Sequence, residues 1–487
     1  MKSKSIGLNA ALNVIKYSLA VIFPIITYPY AIRTLGADGI GKVSFSNSVL
    51  TYFSLLAMLG VSTYGIREGS KIRNDKQSFN AFASELFTIN VLSTVISYVL
   101  LIISVLVIHK FHQYVGLIAV QSISILLTTL GVDWINTVYE DFIFITIRSI
   151  IAHCITLVLL FALVHTPEDY YYYALLTIAT NGITCVTNWI YCRKYARIRL
   201  TKNIDFKKHI KPLMYLFVNA LTISIYVNID TTMLGWMKGD FSVGVYTVSV
   251  KIYTIMKNIM IAVYSVTLPR LATYIGENKI NDYKSLLTKI WSCVAIILLP
   301  VAVGLICFAD DAMYFMGGKT FISYQLSLQI LAGSLIFAIF GGLTTAVMNI
   351  TLNREKDNMV ASFLGAFLNF ALNLFFIPKF GIYGAAFTTL LSELLVFVFC
   401  FIRIPHKEKY LDYRKVCISI IHAIVGSTAI ALSTFAIKSH LSVGLMRLVI
   451  IIPICIAIYI AIMAAFKDSF FLYAVKKIIC RKYKRKD

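Results

Sequence analysis

A small set of charged residues lies inside long apolar stretches, and cations outnumber anions among them. The anions are Asp230 and Glu393. The cations are Lys16, Arg33, Arg67, Lys251, Lys257 and Arg270. An ionisable side chain is costly at bilayer depth and usually faces a protein interior or an aqueous cavity. A cavity lined mainly by cations attracts anions, and arginine suits phosphate groups through paired hydrogen bonds. The pattern therefore predicts a site for an anionic or phosphorylated substrate.

Most of these residues also have a structural explanation. Cations near predicted helix ends can extend to the lipid headgroups, and these are Lys16, Arg33, Arg67 and Arg270. Asp230 and Lys251 lie deeper, where a structural ion pair between adjacent helices is the alternative. Glu393 could be a structural hydrogen-bonding group.

Two prolines accompany Lys16 in the first apolar stretch. Pro24 and Pro29 lie five residues apart, and each removes a backbone hydrogen bond from a helix. This spacing predicts a bend or hinge that alternating access could use. A static kink is the structural alternative.

The elements that carry these residues are predicted to be membrane-spanning helices. The 487 residues are 59% hydrophobic and 14% charged, which is too apolar for a soluble protein. Fourteen apolar segments are long enough to span a bilayer. Their approximate ranges are 11–32, 44–65, 83–108, 115–138, 145–165, 169–192, 213–237, 245–269, 286–308, 326–350, 357–378, 381–402, 413–436 and 443–466. We therefore predict an all-α polytopic membrane protein.

The distribution of Lys and Arg predicts the orientation of these helices. The formal charge is +22, which would suggest nucleic acid as a partner of a soluble protein. With the N-terminus inside, however, 34 of the 45 basic residues fall in inner segments and 8 in outer ones. Basic residues favour the cytoplasmic side of a membrane. We expect both termini in the cytoplasm and no nucleic-acid partner.

Lys16 interrupts the first apolar run, so we expect the first helix to be an uncleaved membrane anchor.

The remaining chemical groups suggest little catalysis. The nine cysteines lie in helices or inner segments without metal-ligand spacing, so we expect neither structural disulfides nor a metal site. We interpret His109 and His112 as a solvated loop pair, and likewise Asp310–Asp311. No cofactor is expected.

A weak internal repeat divides the predicted helices. Aligning Gly41 with Gly244 gives an offset of 203 residues, which spans six helices. An even number of helices makes the halves parallel repeats, an arrangement that some transporters use. We predict a six-helix lobe over residues 1–200, a second over 201–404, helices 13–14 as an appendix over 405–466, and a basic tail over 467–487.

Several local patterns, in order along residues 10–400, resemble the Wzx-type polysaccharide flippases. The patterns are Arg33–Gly41, Tyr64–Glu68, Asp133–Trp134 with Glu140–Phe142 and Arg148, Asp230–Gly235, Val243–Tyr246, Pro269–Arg270, Asn369 with Asn373, and Pro378–Glu393. The glycine that usually precedes the glutamate at position 140 is absent. The last two helices add little to the resemblance.

This resemblance implies the fold of the multidrug/oligosaccharidyl-lipid/polysaccharide exporter superfamily, with two six-helix lobes in a V around a central cavity. It implies movement of an undecaprenyl-diphosphate-linked oligosaccharide to the outer leaflet, for capsule, O-antigen or a similar polymer. In such flippases, cationic residues of helices 1, 2, 7 and 8 line the cavity, and Lys16, Arg33, Arg67, Lys251 and Arg270 match them. Membrane lipids, a polymerase and glycosyltransferases are the implied partners, and a bacterial plasma membrane is the implied location. The resemblance also implies coupling to a proton or sodium gradient, for which Asp230 and Glu393 are the candidates.

Three alternatives stay open from the sequence. One is a lipid II flippase of the same superfamily. Another is a cation-coupled drug antiporter, which should carry acidic rather than basic groups in its cavity. The third is a membrane polymerase or glycosyltransferase, which would need a carboxylate pair near a membrane face for acid–base chemistry. We expect no enzymatic activity.

Overall fold

The computed structural model describes the backbone of residues 6–438 and 441–467. Within these ranges it describes side chains from residue 23 onward, except at positions 142 and 445. Helices dominate, and no strand occurs in this described part. Packing divides the chain into two compact units, residues 1–244 and residues 245–487.

The first unit contains nine α-helices and the start of a tenth. They are α1 (Ile6–Met58), α2 (Val61–Ile72), α3 (Lys76–Val107), α4 (His109–His112), α5 (Val115–Gly131), α6 (Asp133–Val138), α7 (Phe142–Leu163), α8 (Tyr170–Cys192) and α9 (Phe206–Met237). Within this unit α1 packs against α3, α5, α7 and α9, and α8 packs against α5 and α7.

The unit boundary falls inside α10, and the second unit continues from there. Its helices are α10 (Asp240–Ser265), α11 (Leu268–Gly276), α12 (Ile280–Cys307), α13 (Ala309–Gly317), α14 (Lys319–Ile322), α15 (Gln325–Gly342), α16 (Glu355–Phe380), α17 (Ile382–Arg403), α18 (Lys407–Tyr410), α19 (Tyr413–Lys438) and α20 (Leu445–Ala465). A π-helical turn, Leu343–Asn349, extends α15. Within this unit, α19 packs along α12.

The described helices account for all fourteen predicted apolar segments. Eleven stretches are long and apolar enough to cross a membrane, and one of them, Phe23–Ile72, contains the two segments that α1 joins. The shorter α5 and the more polar α8 supply the other two. The predicted fold class is therefore confirmed, and the chain is a multi-pass membrane protein.

The junction between the first two spans differs from its prediction. The predicted loop between 32 and 44 is reduced to a single break at Gly36, where φ is 70° and ψ is 179° inside an otherwise continuous helix. Positive φ is accessible to glycine at little cost. The glycine of the Arg33–Gly41 pattern thus serves as the break, and the second span begins earlier than predicted. The segments between predicted spans at 66–82 and 270–285 likewise contain most of the short helices α2 and α11.

Gly41 and Gly244, which the repeat aligns, occupy equivalent positions in the first unit. A Cβ on Gly41 would lie 1.8 Å from the carbonyl oxygen of Asp240. A Cβ on Gly244 would lie 1.9 Å from the carbonyl oxygen of Ala37. Only glycine permits this backbone approach in either helix. The contact is reciprocal, because Ala37 and Asp240 are separated by the same offset as the two glycines.

The basic segment between α8 and α9 is extended and lies on a polar face of α3. Backbone N–H groups of residues 197, 199 and 201 donate to Asn80 Oδ1, Ser84 Oγ and Thr88 Oγ1, at 2.8, 3.2 and 3.1 Å. The spacings match, because two extended residues advance about 6.6 Å and four helical residues about 6 Å. This polar ladder holds a segment that the sequence predicted simply as a loop.

Candidate functional site

Two of the predicted site residues, Lys257 and Glu393, form an ion pair in the second unit. Lys257 Nζ lies 2.7 Å from Glu393 Oε1 and 3.3 Å from the hydroxyl of Tyr253, one turn earlier on α10. The Tyr253 hydroxyl also donates to Glu393 Oε1 at 3.1 Å. The Glu393 side chain is 8% exposed and the Lys257 side chain 28%. A charged pair is thus embedded between two spanning helices, with its lysine partly accessible.

The other predicted cations of this unit have different surroundings. Lys251 is half-buried in α10, six residues before Lys257. Arg270 is exposed on α11, where its Nε lies 2.9 Å from the hydroxyl of Tyr274 and its guanidinium stacks over that ring. Their role as substrate-binding residues stays a prediction.

The predicted residues of the first unit are also spread over several helices. Arg33 is exposed on α1, and Asp230 is buried in α9. Arg67 lies on α2 with its side chain 55% exposed, and its Nε donates to Glu68 Oε1 at 2.9 Å. A common site for these residues stays a prediction.

The first helix carries the remaining predicted positions. The side chain of Lys16 lies outside the described residues. Helix α1 continues through Pro24 and Pro29, and its recorded non-helical residue is Gly36. Near the prolines, Thr27 Oγ1 donates to the Phe23 carbonyl at 3.0 Å and the Tyr30 hydroxyl donates to the Val164 carbonyl at 2.7 Å. The hinge role of the prolines stays a prediction.

Arg67 and Arg270 occupy equivalent places in the two repeats. They are separated by 203 residues, the offset that aligns Gly41 with Gly244. Each lies on a short helix that follows the second long helical segment of its repeat. The internal repeat therefore includes both arginines, although each was predicted as a site residue without reference to the repeat.

Two of the patterns that carried the family resemblance meet in the first unit. The indole of Trp134 packs directly over Gly65, where a Cβ would lie 2.7 Å from the ring. The neighbouring Tyr64 hydroxyl lies 3.0 Å from His209 Nδ1. His209 Nε2 in turn lies 3.0 Å from Glu85 Oε2, and the imidazole is fully buried. His209 was not predicted as a site residue, because a lone histidine within a basic segment has no distinguishing spacing.

Asp133 and Arg148, which belong to one of the patterns that resemble the flippase family, form an ion pair. Arg148 Nη1 lies 3.1 Å from Asp133 Oδ1, and the arginine side chain is 5% exposed while the aspartate side chain is 57% exposed. Asn188 donates to the same Asp133 oxygen, and Asn136 donates to Asn188 Oδ1 at 2.9 Å. A buried arginine thus fixes a carboxylate that stays accessible.

The adjacent Asp141 has a structural environment. It is buried and accepts hydrogen bonds from the hydroxyls of Tyr191, at 2.7 Å, and Tyr195. Burial, followed by the hydrogen bond to Asp141, raises the pKa of Tyr195 well above its ordinary value. Tyr195 therefore remains a protonated donor to the buried carboxylate.

The interpretation of Asp310–Asp311 as a solvated pair is wrong. Asp310 is 7% exposed and Asp311 is fully buried. Arg447 Nη2 lies 2.5 Å from Asp310 Oδ2 and 2.7 Å from Asp311 Oδ2, and Lys438 Nζ lies 2.6 Å from Asp310 Oδ1. From the sequence, Lys438 and Arg447 were interpreted only as basic residues of outer segments. Local spacing gives no link between them and residues more than 120 positions earlier. We call these four residues the doublet network.

Comparison with known proteins identifies the class to which this fold belongs. An inward closed conformation of the lipid II flippase MurJ superimposes with a TM-score of 0.71 at 15% identity, covering 96% of this chain and 99% of the other. An inward-facing multidrug resistance MATE family transporter of the MOP superfamily gives 0.60 at 14% identity, covering 82% and 99%. The chain has the fold of the MOP superfamily.

Sequence comparison then shows the family. The family model described as polysaccharide biosynthesis protein matches residues 6–275, and the MatE model matches residues 216–375. The chain belongs to the polysaccharide biosynthesis protein family, which confirms the predicted resemblance. The "Putative O-antigen transporter" of Escherichia coli K12 is 19% identical over 77% of this chain and 91% of its own length. "Probable flippase AglR" of Haloferax volcanii is 22% identical over 85% and 86%.

Proposed function

We propose that this protein moves an undecaprenyl-diphosphate-linked oligosaccharide from the cytoplasmic to the outer leaflet of a bacterial plasma membrane. The observation that carries the proposal is the Lys257–Glu393 pair within spanning helices of a polysaccharide biosynthesis family member. A partly accessible ammonium at that position can exchange its carboxylate partner for a diphosphate oxygen. The names of the relatives, an O-antigen transporter and a flippase, agree with such a cargo.

The exchange follows from the chemistry of the two groups. An ammonium has three N–H donors, and Lys257 directs two of them to Glu393 and Tyr253. An arriving diphosphate brings several anionic oxygens, so it competes directly with the single carboxylate oxygen. Glu393 would lose its lysine partner when the diphosphate binds, which makes it a candidate for coupling cargo binding to an ion gradient.

The remaining elements of the proposal concern the cell. Both termini lie in the cytoplasm, and the cargo passes by alternating access with no chemical step and no cofactor. The delivered repeat units become capsule, O-antigen or a similar polymer through partner glycosyltransferases and a polymerase. A proton gradient, or a sodium gradient acting through Asp230, is the proposed energy source.

Cells that depend on this gene for surface polysaccharide provide the test. We expect Arg33→Ala and Lys251→Ala each to reduce surface polymer at least tenfold and to accumulate lipid-linked oligosaccharide on the inner leaflet. Lys409→Ala, which removes an exposed charge of α18, is the matched control. Normal polymer in both variants at normal protein levels would refute the cation assignment. Unchanged polymer in a deletion strain, with loss of dye efflux or of lipid II export instead, would refute the function.

A further inference from the structure

The first unit contains a cavity of about 190 Å³ where a spanning segment is interrupted. The sequence predicted one continuous span over residues 115–138, but α5 ends at Gly131 and α6 begins at Asp133. Val132 between them has a φ of 39°, a strained conformation for a β-branched residue. Interrupted backbone at membrane depth is tolerated where it is buried in protein or lines a cavity. Strain of this kind concentrates at ligand-binding sites.

The cavity wall is unusually polar for such an apolar chain. Six of its twelve lining residues carry hydroxyl, amide or carboxylate side chains, and they are Ser62, Asn90, Thr128, Asp133, Asn181 and Thr184. Asn181 lies at the centre of α8, where a lipid-facing amide would be costly. In the described part of the chain, the side chains of Ser62, Asn181 and Thr184 have no hydrogen-bond partner. These groups are therefore available to a molecule in the cavity.

The electrostatics of the cavity favour a neutral occupant. Its one charged lining residue is Asp133, and Arg148 already balances that charge at 3.1 Å. A phosphate would meet the Asp133 carboxylate and no lining cation. A metal cation would have to compete with a buried guanidinium for its only anionic ligand. Amides, hydroxyls and a neutralised carboxylate instead offer the mixture of donors and acceptors that sugar hydroxyls need.

Size and shape agree with a single sugar ring. Pockets for drug-sized ligands occupy about 300–1,000 Å³, so a cavity of about 190 Å³ suits something smaller. Leu127 and Met58 contribute apolar surface, and the indole of Trp134 forms part of the wall. A pyranose has both an apolar C–H face and a polar edge, so it can use both kinds of surface.

We infer that this cavity is a monosaccharide subsite, in which Asp133, Asn181 and Thr184 bind hydroxyl groups of one sugar ring. The inference rests on the proposed function, because it assigns the site to the sugar part of the cargo. It concerns residues of the first unit alone and does not involve Lys257. Asp133 would accept hydrogen bonds from adjacent hydroxyls while Arg148 and Asn188 hold it in position.

Saturation-transfer NMR on the full chain in lipid nanodiscs tests the inference. The probes are free hexoses, N-acetylhexosamines, 6-deoxyhexoses and hexuronic acids, with inorganic pyrophosphate and sodium chloride as competitors. We expect at least one neutral sugar to receive saturation from the wild-type protein. Asn181→Ala combined with Thr184→Ala should reduce that signal at least threefold without changing the melting temperature. Thr187→Ala is the matched control, since its hydroxyl already donates to the helix carbonyls of residues 183 and 184.

The outcomes separate this inference from the proposed function. No saturation transfer to any sugar, an undiminished signal in the double variant, or displacement of the sugar by sodium ions would each overturn the subsite. Sugar binding that depends on Asn181 and Thr184 supports the subsite even if a deletion strain keeps its surface polymer. Loss of polymer on deletion, together with full activity of the double variant and no sugar signal, would leave the flippase intact and remove the subsite.

Discussion

Two charged clusters of the second unit differ in how completely their charges are paired. In the doublet network, Arg447 Nε lies 2.9 and 2.8 Å from the two Asp311 oxygens, and Lys438 also donates to the Cys307 carbonyl at 2.8 Å. The backbone N–H of Gly444 donates to Asp311 at 3.0 Å. In the Lys257–Glu393 pair, one ammonium meets one carboxylate and one phenol.

The difference indicates different roles for buried charge. The doublet network joins the start of α13 to the end of α19 and the start of α20, and its carboxylate oxygens all have cationic partners. Such a saturated network holds helices in position but has little capacity to accept a ligand. The Lys257–Glu393 pair makes fewer hydrogen bonds and its lysine is more exposed, so an anion can replace Glu393 as the partner of the ammonium. Substitutions in the two clusters should therefore have different effects.

Arg447→Met should have the largest effect, and the effect should be on stability. Removal of one partner from a buried ion pair costs about 3–5 kcal/mol, because the remaining charge stays buried without compensation. Here Asp310 would keep Lys438, whereas Asp311 would lose its cationic partner. We expect a large drop in melting temperature and in the yield of monodisperse protein in detergent.

The matched control is Arg403→Ala. Arg403 is 51% exposed and lies 3.4 Å from Asp357, so it should change stability by less than about 1 kcal/mol. Equal melting temperatures for the Arg447 and Arg403 variants would show that the doublet network is not structural.

Lys257→Gln combined with Glu393→Gln should impair transport and leave the stability of the protein nearly unchanged. The two amides can still hydrogen-bond and no charge is left alone, so we expect a melting temperature close to that of the wild type. Surface polymer should fall at least tenfold, because no ammonium remains for the diphosphate. Should the double variant transport normally, the pair would be structural, and the contrast with the doublet network would disappear.

The fold was largely predictable because bilayer physics acts locally. Fourteen apolar stretches predicted fourteen long helices, since each span must satisfy its own backbone hydrogen bonds. Breaks were harder to place. Gly36 is the break in a helix where apolar periodicity predicted a loop. Val132 interrupts a segment that apolar periodicity predicted as one continuous span. Periodicity measures side-chain polarity, and it does not register one residue of left-handed backbone.

The charged sites were predictable only in part, because pairing depends on tertiary structure. Lys257 and Glu393 were both selected as costly intramembrane charges, although their pairing across 136 residues was not. Asp310 and Asp311 were misread, because an acidic doublet between two spans looks the same whether it is solvated or buried. Asp133 and Arg148 lie near the ends of predicted spans. Nothing in the sequence indicated that the arginine would be buried and the carboxylate accessible.

The smallest expected effect is a pH dependence of the doublet network. Burial alone would raise the pKa of Asp310, but hydrogen bonds from Lys438 and Arg447 outweigh it and hold the pKa below its ordinary value. A carboxyl group with a lowered folded-state pKa stabilises the protein above its unfolded-state pKa, near 3.9. That stability is lost as the pH falls through the folded-state value. We therefore expect the wild-type melting temperature to decline more steeply below about pH 4 than that of Asp310→Asn. Parallel profiles for the two proteins would mean that Asp310 contributes no charge-dependent stability, and the distinction between a saturated and an exchangeable cluster would then depend on Asp311 and Arg447 alone.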